Sequence, residues 1–150
     1  MIAVDTNVLV YAHRADVPQH LTAYALMARL TQDDRPWALP WPCLHEFFAI
    51  VTNKHWSTPT TAAQAWSVVR DLVDAPGAHL IGEGANHLDI LAEIIRRGQV
   101  RGGMIHDARI AAICLAHGVN ELWTADRDFS RFPDLKTYNP FEDSHGRQRH

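Results

Sequence analysis

Residues 1–10, MIAVDTNVLV, place a carboxylate where a buried strand should end. The residues Met1 to Val4 are apolar or small and predict a strand, and the apolar run resumes at Val8. Asp5 would therefore stand at the tip of a buried strand, followed by a short helical turn through residues 8–12. Taken alone, an acid at such a position is most often a helix N-cap. Its role depends on which other residues reach the same place.

Strands and helices alternate along the rest of the chain. Further strands are predicted at residues 35–41, 78–82, 121–124 and 135–139. Helices are predicted from residues 16–18 onward through the apolar stripe Leu21, Tyr24, Ala25 and Ala28, and at 42–51, 57–74, 87–98 and 106–118. Strands separated by helices favour a parallel sheet that is covered on both faces. The predicted class is therefore α/β, with one domain of residues 1–141 and a polar, frayed tail of residues 142–150.

Composition narrows the function classes. The chain has 150 residues, enough for one domain with a real core, and no apolar run reaches the roughly eighteen residues of a membrane helix. A net charge of −3 argues against a protein that coats nucleic acid, although an acidic site beside a local basic patch stays open. No leader precedes the first strand, so we expect a cytoplasmic protein. Cys43 and Cys114 lie in apolar segments and are interpreted as buried, reduced thiols.

Two acids interrupt helices that are otherwise apolar. Glu46 lies in CLHEFFAIV, residues 43–51, and a buried carboxylate needs a cation or strong donors because leaving it unpaired costs several kcal/mol. A structural salt bridge to Lys54 or to an arginine is one alternative. Asp107 stands where the helix DARIAAICLA, residues 107–116, is predicted to start. The helix dipole would keep it ionised, which suits both a structural acid and a metal ligand.

Asp126 and Asp128 follow the predicted strand at 121–124 and, taken alone, read as turn residues. In parallel sheets, ligands bind at the carboxyl ends of the strands. If this strand neighbours the first, the two acids meet Asp5 at one edge, where convergent carboxylates repel one another. A divalent cation with oxygen ligands, Mg²⁺ or Mn²⁺, resolves that repulsion. Such a cation activates water and clamps a phosphate.

Three segments together resemble a known family. They are IAVDTNVLVYA (residues 2–12), LHEFFAIVT (residues 44–52) and HDARIAAICLAHGVNELWTADRDF (residues 106–129). In this order and spacing they resemble the PIN domain, specifically the VapC-type toxin ribonucleases of prokaryotic toxin–antitoxin pairs. The resemblance extends from residue 2 to about residue 140.

The resemblance implies a three-layer α/β/α fold with a five-stranded parallel sheet, and cleavage of RNA that depends on Mg²⁺ or Mn²⁺. The residues that match the family's acidic quartet are Asp5, Glu46, Asp107 and Asp126, with Asp128 as a further acid. Those that match positions orienting these carboxylates, or binding the metal's waters, are Thr6, Asn7 and Thr124. Family members usually form homodimers and are silenced by a partner antitoxin.

Substrate contacts are a separate hypothesis. Four basic or titratable side chains lie close to Asp107 in sequence and are proposed to reach RNA phosphates: Arg97, Arg101, His106 and Arg109. The alternative is a solvated helix end and loop. The five tryptophans are more readily interpreted as core or interface residues than as platforms for unpaired bases. Trp66, at helical spacing with Val69, is predicted to be core, while Trp37 and Trp41 stay open.

Two rival functions remain at this point. One is a PIN nuclease of RNA processing or decay, against which the short chain without an appended domain argues. The other is a PIN-like scaffold that binds a metal or a partner without turnover. The full set of acids argues against the scaffold, because a protein without chemistry has no need to keep them.

Overall fold

Five parallel strands form the single sheet of this protein in a computed structural model that describes residues 1–142. In chain order the strands are β1 (Ile2–Val4), β2 (Trp37–Pro40), β3 (Ala78–Ile81), β4 (Glu121–Trp123) and β5 (Lys136–Tyr138). Their order in the sheet is β3-β2-β1-β4-β5, so that β1 lies in the centre between β2 and β4. The predicted parallel sheet and the expected pairing of the first and fourth strands are confirmed.

Within the part of the chain that the structure describes, six α-helices cover this sheet. They are α1 (Thr6–His13), α2 (His20–Gln32), α3 (Trp41–Val51), α4 (Ala62–Val73), α5 (His87–Gly98) and α6 (Met104–Ala116), and a short 3₁₀ helix, Arg127–Arg131, follows β4. Successive side chains of a strand point to opposite faces. In β1, Ala3 accordingly packs in a core cluster with α6, whereas Val4 packs in a second cluster with α1 and α3. The three-layer α/β/α architecture is confirmed.

The buried face of α2 differs from the predicted one. The helix begins at His20 rather than near residues 16–18, and its buried residues are Ala23 and Met27. Leu21 and Tyr24 are 81% and 61% exposed, so the predicted stripe does not face the core. The cause is that α2 is apolar on two overlapping stripes, and helical spacing alone does not select between them.

Three other assignments are settled by burial. Trp66 is 54% exposed while Val69 is buried, so the prediction of a core tryptophan is wrong. α4 buries Ala65 and Val69 instead. Of the two open cases, Trp37 is buried at 1% exposure and Trp41 is 38% exposed.

Several boundaries also shift. α1 starts at Thr6, two residues before the predicted turn, and α6 starts at Met104, so that Asp107 lies in the first turn of α6 rather than at its first position. Both cysteines are free and buried, as expected. Within residues 1–142, no helix is long and apolar enough to cross a membrane. Apart from Glu142, the predicted tail lies outside the described residues.

Candidate active site

Asp5 is held at the carboxyl end of the central strand by four donors. It is 4% exposed and caps the N-terminus of α1, accepting a hydrogen bond from the backbone N–H of Thr6 at 2.7 Å. The hydroxyl of Thr124 donates at 2.7 Å, the amide of Asn7 at 3.2 Å and the thiol of Cys43 at 3.6 Å. Burial raises the pKa of Asp5, although the hydrogen bonds from Thr124, Thr6 and Cys43 lower it. Asp5 is thus a helix cap that stands where the other predicted acids gather.

Asn7 and Thr124 lock the ends of β1 and β4 together. The amide of Asn7 also donates to the hydroxyl of Thr124 at 3.1 Å, and its oxygen accepts from the backbone N–H of Ala125 at 3.1 Å. The backbone N–H of Asp126 donates to the same hydroxyl at 2.9 Å. The two contacts of Asn7 join residues 117 and 118 positions apart, and all three hold the backbone from which the acids after β4 project.

Glu46 projects from the middle of α3 toward the same edge. Its carboxylate accepts a hydrogen bond from the hydroxyl of Thr6 at 2.8 Å. Among the residues that the structure describes, no basic group lies within 4.0 Å of it, so the alternative of a salt bridge to Lys54 or an arginine is not met. The negative charge of Glu46 instead contributes to raising the pKa of Asp5.

The acids of α6 and of the segment after β4 form a tight group. Carboxylate oxygens of Asp107, Asp126 and Asp128 lie within 4.8 Å of one another. The pKa of Asp107 is raised from 3.8 to about 6, first by burial and then by the charges of Asp126, Asp5, Asp128 and Glu46. The other four predicted acids are therefore all close enough to Asp107 to raise the pKa of its carboxyl group.

Four of these acids line one cavity of about 350 Å³. The acids that line it are Asp5, Glu46, Asp107 and Asp126, and the other wall residues are Thr6, Asn7, Val10, Tyr11, Ile50 and Trp56. Asp128 is exposed and reaches the cluster through Asp107 and Asp126.

The donor set fits a divalent cation. Every charged group that could bind a metal here is a carboxylate, the ligand type that suits Mg²⁺ and Mn²⁺. Among the described residues, no basic side chain forms an ion pair with any of these carboxylates. Burial is the largest cause of the raised pKa of Asp107, and a bound cation would offset the repulsion that adds to it.

The residues proposed for substrate contact are spread around this site. Arg97, on α5, pairs with Asp134 beside a different cavity, and Arg109, on α6, pairs with Glu83. Arg101 is exposed in the loop before α6, and His106 is exposed in the first turn of that helix. Contact of any of these four with RNA stays a prediction.

The sequence reading missed the aromatic and apolar part of the cavity wall. Trp56 follows α3 in a polar loop that ends at the cap of α4, and it lines the cavity with Tyr11 and Ile50. A tryptophan in a polar loop that closely follows a helix bearing a site acid is the one sequence signal that could have drawn attention to Trp56.

Sequence comparison identifies relatives over nearly the whole chain. The model of the PIN domain matches residues 2–135. The VapC ribonuclease Mb2897 of Mycobacterium bovis is 38% identical over 144 residues, covering 95% of this chain and 97% of the relative. Ribonuclease VapC31 of Mycobacterium tuberculosis is 31% identical over 141 residues, covering 93% and 99%.

Solved structures agree on the fold. VapBC2 from Rickettsia felis, bound to a DNA fragment from its promoter, has a TM-score of 0.66 at 22% identity and covers 93% of this chain and 98% of its own. VapC20 of Mycobacterium tuberculosis, a toxin that cleaves the sarcin-ricin loop, has a TM-score of 0.65 at 17% identity and covers 87% and 93%.

Proposed function

Because the chain belongs to the PIN-domain family and its curated relatives are VapC ribonucleases, we propose that it is a metal-dependent endoribonuclease. It hydrolyses RNA phosphodiester bonds with Mg²⁺ or Mn²⁺ as its cofactor. The observation that carries the proposal is the convergence of Asp5, Glu46, Asp107 and Asp126 on one cavity without a neutralising cation among the described residues.

Each residue of the site has a distinct part in this proposal. Asp107, Asp126 and Asp128 would hold the cation, with Asp5 and Glu46 as further carboxylate ligands beside them. When bound, the cation lowers the pKa of water and stabilises the charge on the phosphate under attack. Thr6 keeps the carboxylate of Glu46 oriented, while Asn7 and Thr124 do the same for Asp5. The buried, hydrogen-bonded supports fix the acids before substrate arrives.

The proposal extends to the cellular role. We assign the chain to the toxin side of a type II toxin–antitoxin pair, acting in the cytoplasm, silenced by a cognate antitoxin and forming a homodimer. Support comes from the VapC relatives, which span the same length as this chain. A PIN nuclease of RNA processing and a non-catalytic scaffold are the rival outcomes. Light scattering after gel filtration should give twice the chain mass of 16.9 kDa, and the single mass would refute the dimer.

Cleavage of a panel of tRNA, rRNA fragments and unstructured RNA tests the activity. The purified chain should cut RNA in Mg²⁺ or Mn²⁺, stop in EDTA, and lose cleavage in Asp107→Asn, purified in parallel. Equal cleavage by both proteins would reveal a contaminating ribonuclease. Absence of cleavage by the wild type across the panel, with the cation bound, would favour the scaffold.

A further inference from the structure

Trp56 stands on the wall of the cavity that the acids share. It lies in the loop between α3 and α4, closed by a hydrogen bond from the backbone N–H of Thr60 to the carbonyl of Val51 at 2.9 Å. The residues proposed to bind the cation and to orient its ligands offer oxygen lone pairs, whereas the indole has no lone pair available, since its one nitrogen is an N–H donor. The indole of Trp56 therefore cannot be a ligand of the cation. Its position beside the proposed cation-binding acids indicates a different role in the site.

The indole is held rigidly in that place. Its Nε1–H donates to the carbonyl of Ile50 at 2.7 Å, and its backbone N–H donates to the carbonyl of Asn53 at 3.3 Å. The guanidinium carbon of Arg14 lies 4.1 Å from the ring centroid, so one side of the ring is covered. The ring therefore loses little conformational freedom when a second planar group binds to it.

Arg14 acts as a fixed support rather than as a free charge. It is 8% exposed, donates through Nε and Nη2 to both oxygens of Asp16 at 2.9 and 2.5 Å, and donates to the carbonyl of Thr58 at 2.8 Å. Asp16 balances its charge, and Thr58 ties it to the loop that carries Trp56. Arg14 follows α1 directly, so the support of the indole and the acid Asp5 are at opposite ends of one short helix.

From this geometry we propose that Trp56 is a stacking subsite for an unpaired RNA base next to the bond that is cut. The inference rests on the proposed nuclease function and names its substrate class. Stacking on an aromatic ring needs no charge on the protein and tolerates any base. A base inside a duplex has both faces covered by its neighbours, so the subsite selects single-stranded segments.

Equilibrium binding separates this role from catalysis. The full chain carrying Asp107→Asn, which prevents cleavage, is titrated in Mg²⁺ buffer into a fluorescein-labelled, mixed-sequence single-stranded RNA and into a duplex of equal length. Adding Trp56→Ala should weaken single-strand binding about 5- to 150-fold, the equivalent of losing one stack worth about 1–3 kcal/mol. Trp56→Phe, which keeps a ring, should retain most of the affinity, and Trp56→Leu should not.

The matched control is Trp66→Ala, which removes an exposed tryptophan of α4 and should leave affinity unchanged. Thermal melting identifies any variant that fails to fold, and the comparison of the Phe and Leu variants then decides, since both are apolar. The loss should also be equal at low and high salt, because stacking displaces no counterions.

Three results would overturn the inference: equal affinity of the Trp56→Ala and Trp66→Ala variants, equal loss in Phe and Leu variants, or a parent that binds duplex as tightly as single strand. A wild-type chain that binds single strands through Trp56 but cuts none of the panel would contradict the proposed function alone. A chain that cuts RNA while Trp56→Ala changes nothing would contradict this inference alone.

Discussion

The acids clustered in the candidate site and the acids that pair with arginines elsewhere are held in opposite ways. Glu83, in the loop after β3, pairs with Arg109, and Glu93, on α5, pairs with Arg96; each arginine lowers the pKa of its partner. In the cluster, burial and then the neighbouring acids raise the pKa of Asp107 to about 6. The chain has arginines to neutralise carboxylates, but within residues 1–142 none forms an ion pair with an acid of the cluster, which agrees with the proposed binding of a cation there.

The largest expected effect is a difference in cleavage rate between a variant that lacks an acid of the cluster and a variant that lacks an arginine-paired acid. We expect Asp126→Asn to lower the cleavage rate by at least about 100-fold, because even the loss of a supporting contact to a metal ligand costs up to that factor. Glu93→Gln removes an exposed, arginine-paired acid and should leave the rate unchanged. Single-turnover cleavage of the same RNA measures both, and equal rates for the two variants would remove the distinction.

The support of Glu46 gives the next largest effect. Thr6→Val keeps the shape of the side chain and deletes the hydroxyl that donates to Glu46. The Mg²⁺ concentration for half-maximal cleavage should rise about 10- to 100-fold. Thr31→Val is the control, since the hydroxyl of Thr31 bonds only to carbonyls of its own helix. An unchanged Mg²⁺ requirement in Thr6→Val would show that Glu46 needs no such support.

Protons and the cation should compete at Asp107. Because its pKa is about 6 without a cation, cleavage at low Mg²⁺ should fall as the pH drops through that value. Each tenfold increase in Mg²⁺ should move this acid limb down by up to about one pH unit, because ligands must lose their protons to bind. Rate profiles at several Mg²⁺ concentrations measure the shift, and a fixed acid limb would place the titrating group outside the site.

The smallest expected effect is on thermal stability, where removing the carboxylate of Asp107 should stabilise the metal-free protein. Between pH 3.8 and about 6 the folded state holds more protons on Asp107 than the unfolded state does, so the free energy of unfolding falls as pH rises through this window. Without metal above pH 6, Asp107→Asn should therefore raise Tm, by about 2–4 °C for each kcal/mol of repulsion removed. Near pH 4 the difference should vanish.

Scanning calorimetry in EDTA at the two pH values tests this. Glu93→Gln, whose carboxyl has a lowered pKa, should not raise Tm at either pH. Adding Mg²⁺ should then raise the Tm of the wild type more than that of Asp107→Asn. A metal-free variant less stable than the wild type above pH 6 would mean that Asp107 contributes more by its contacts than it costs by its charge.

The sheet and the convergence of the acids were predictable because each rests on local signals. Short apolar strands alternate with helices, Asp5 follows β1 directly, and Asp126 stands three residues after the end of β4. Parallel strands place their carboxyl ends at one edge, so the neighbourhood of these acids follows once β1 and β4 pair.

Other features depend on contacts that local patterns do not contain. Helical spacing in α2 allows two apolar stripes, and packing against the rest of the fold selects Ala23 and Met27 over Leu21. The place of Trp56 depends on Arg14, which lies 42 positions earlier and is joined to its loop only in the folded chain. Neither the buried face of α2 nor the position of Trp56 can be deduced from the residues next to it in sequence.

The strand order also sets the moment at which the site can exist during synthesis. β1 leaves the ribosome before β2 and β3, and its neighbour β4 and the acid Asp126 follow only after them. A nascent chain that has exposed only β1 to β3 lacks both Thr124, which donates a hydrogen bond to Asp5, and Asp126. The acidic cluster is therefore incomplete until the segment after β4 has been synthesised, and a ribosome-bound chain that stops short of that segment should not cut RNA.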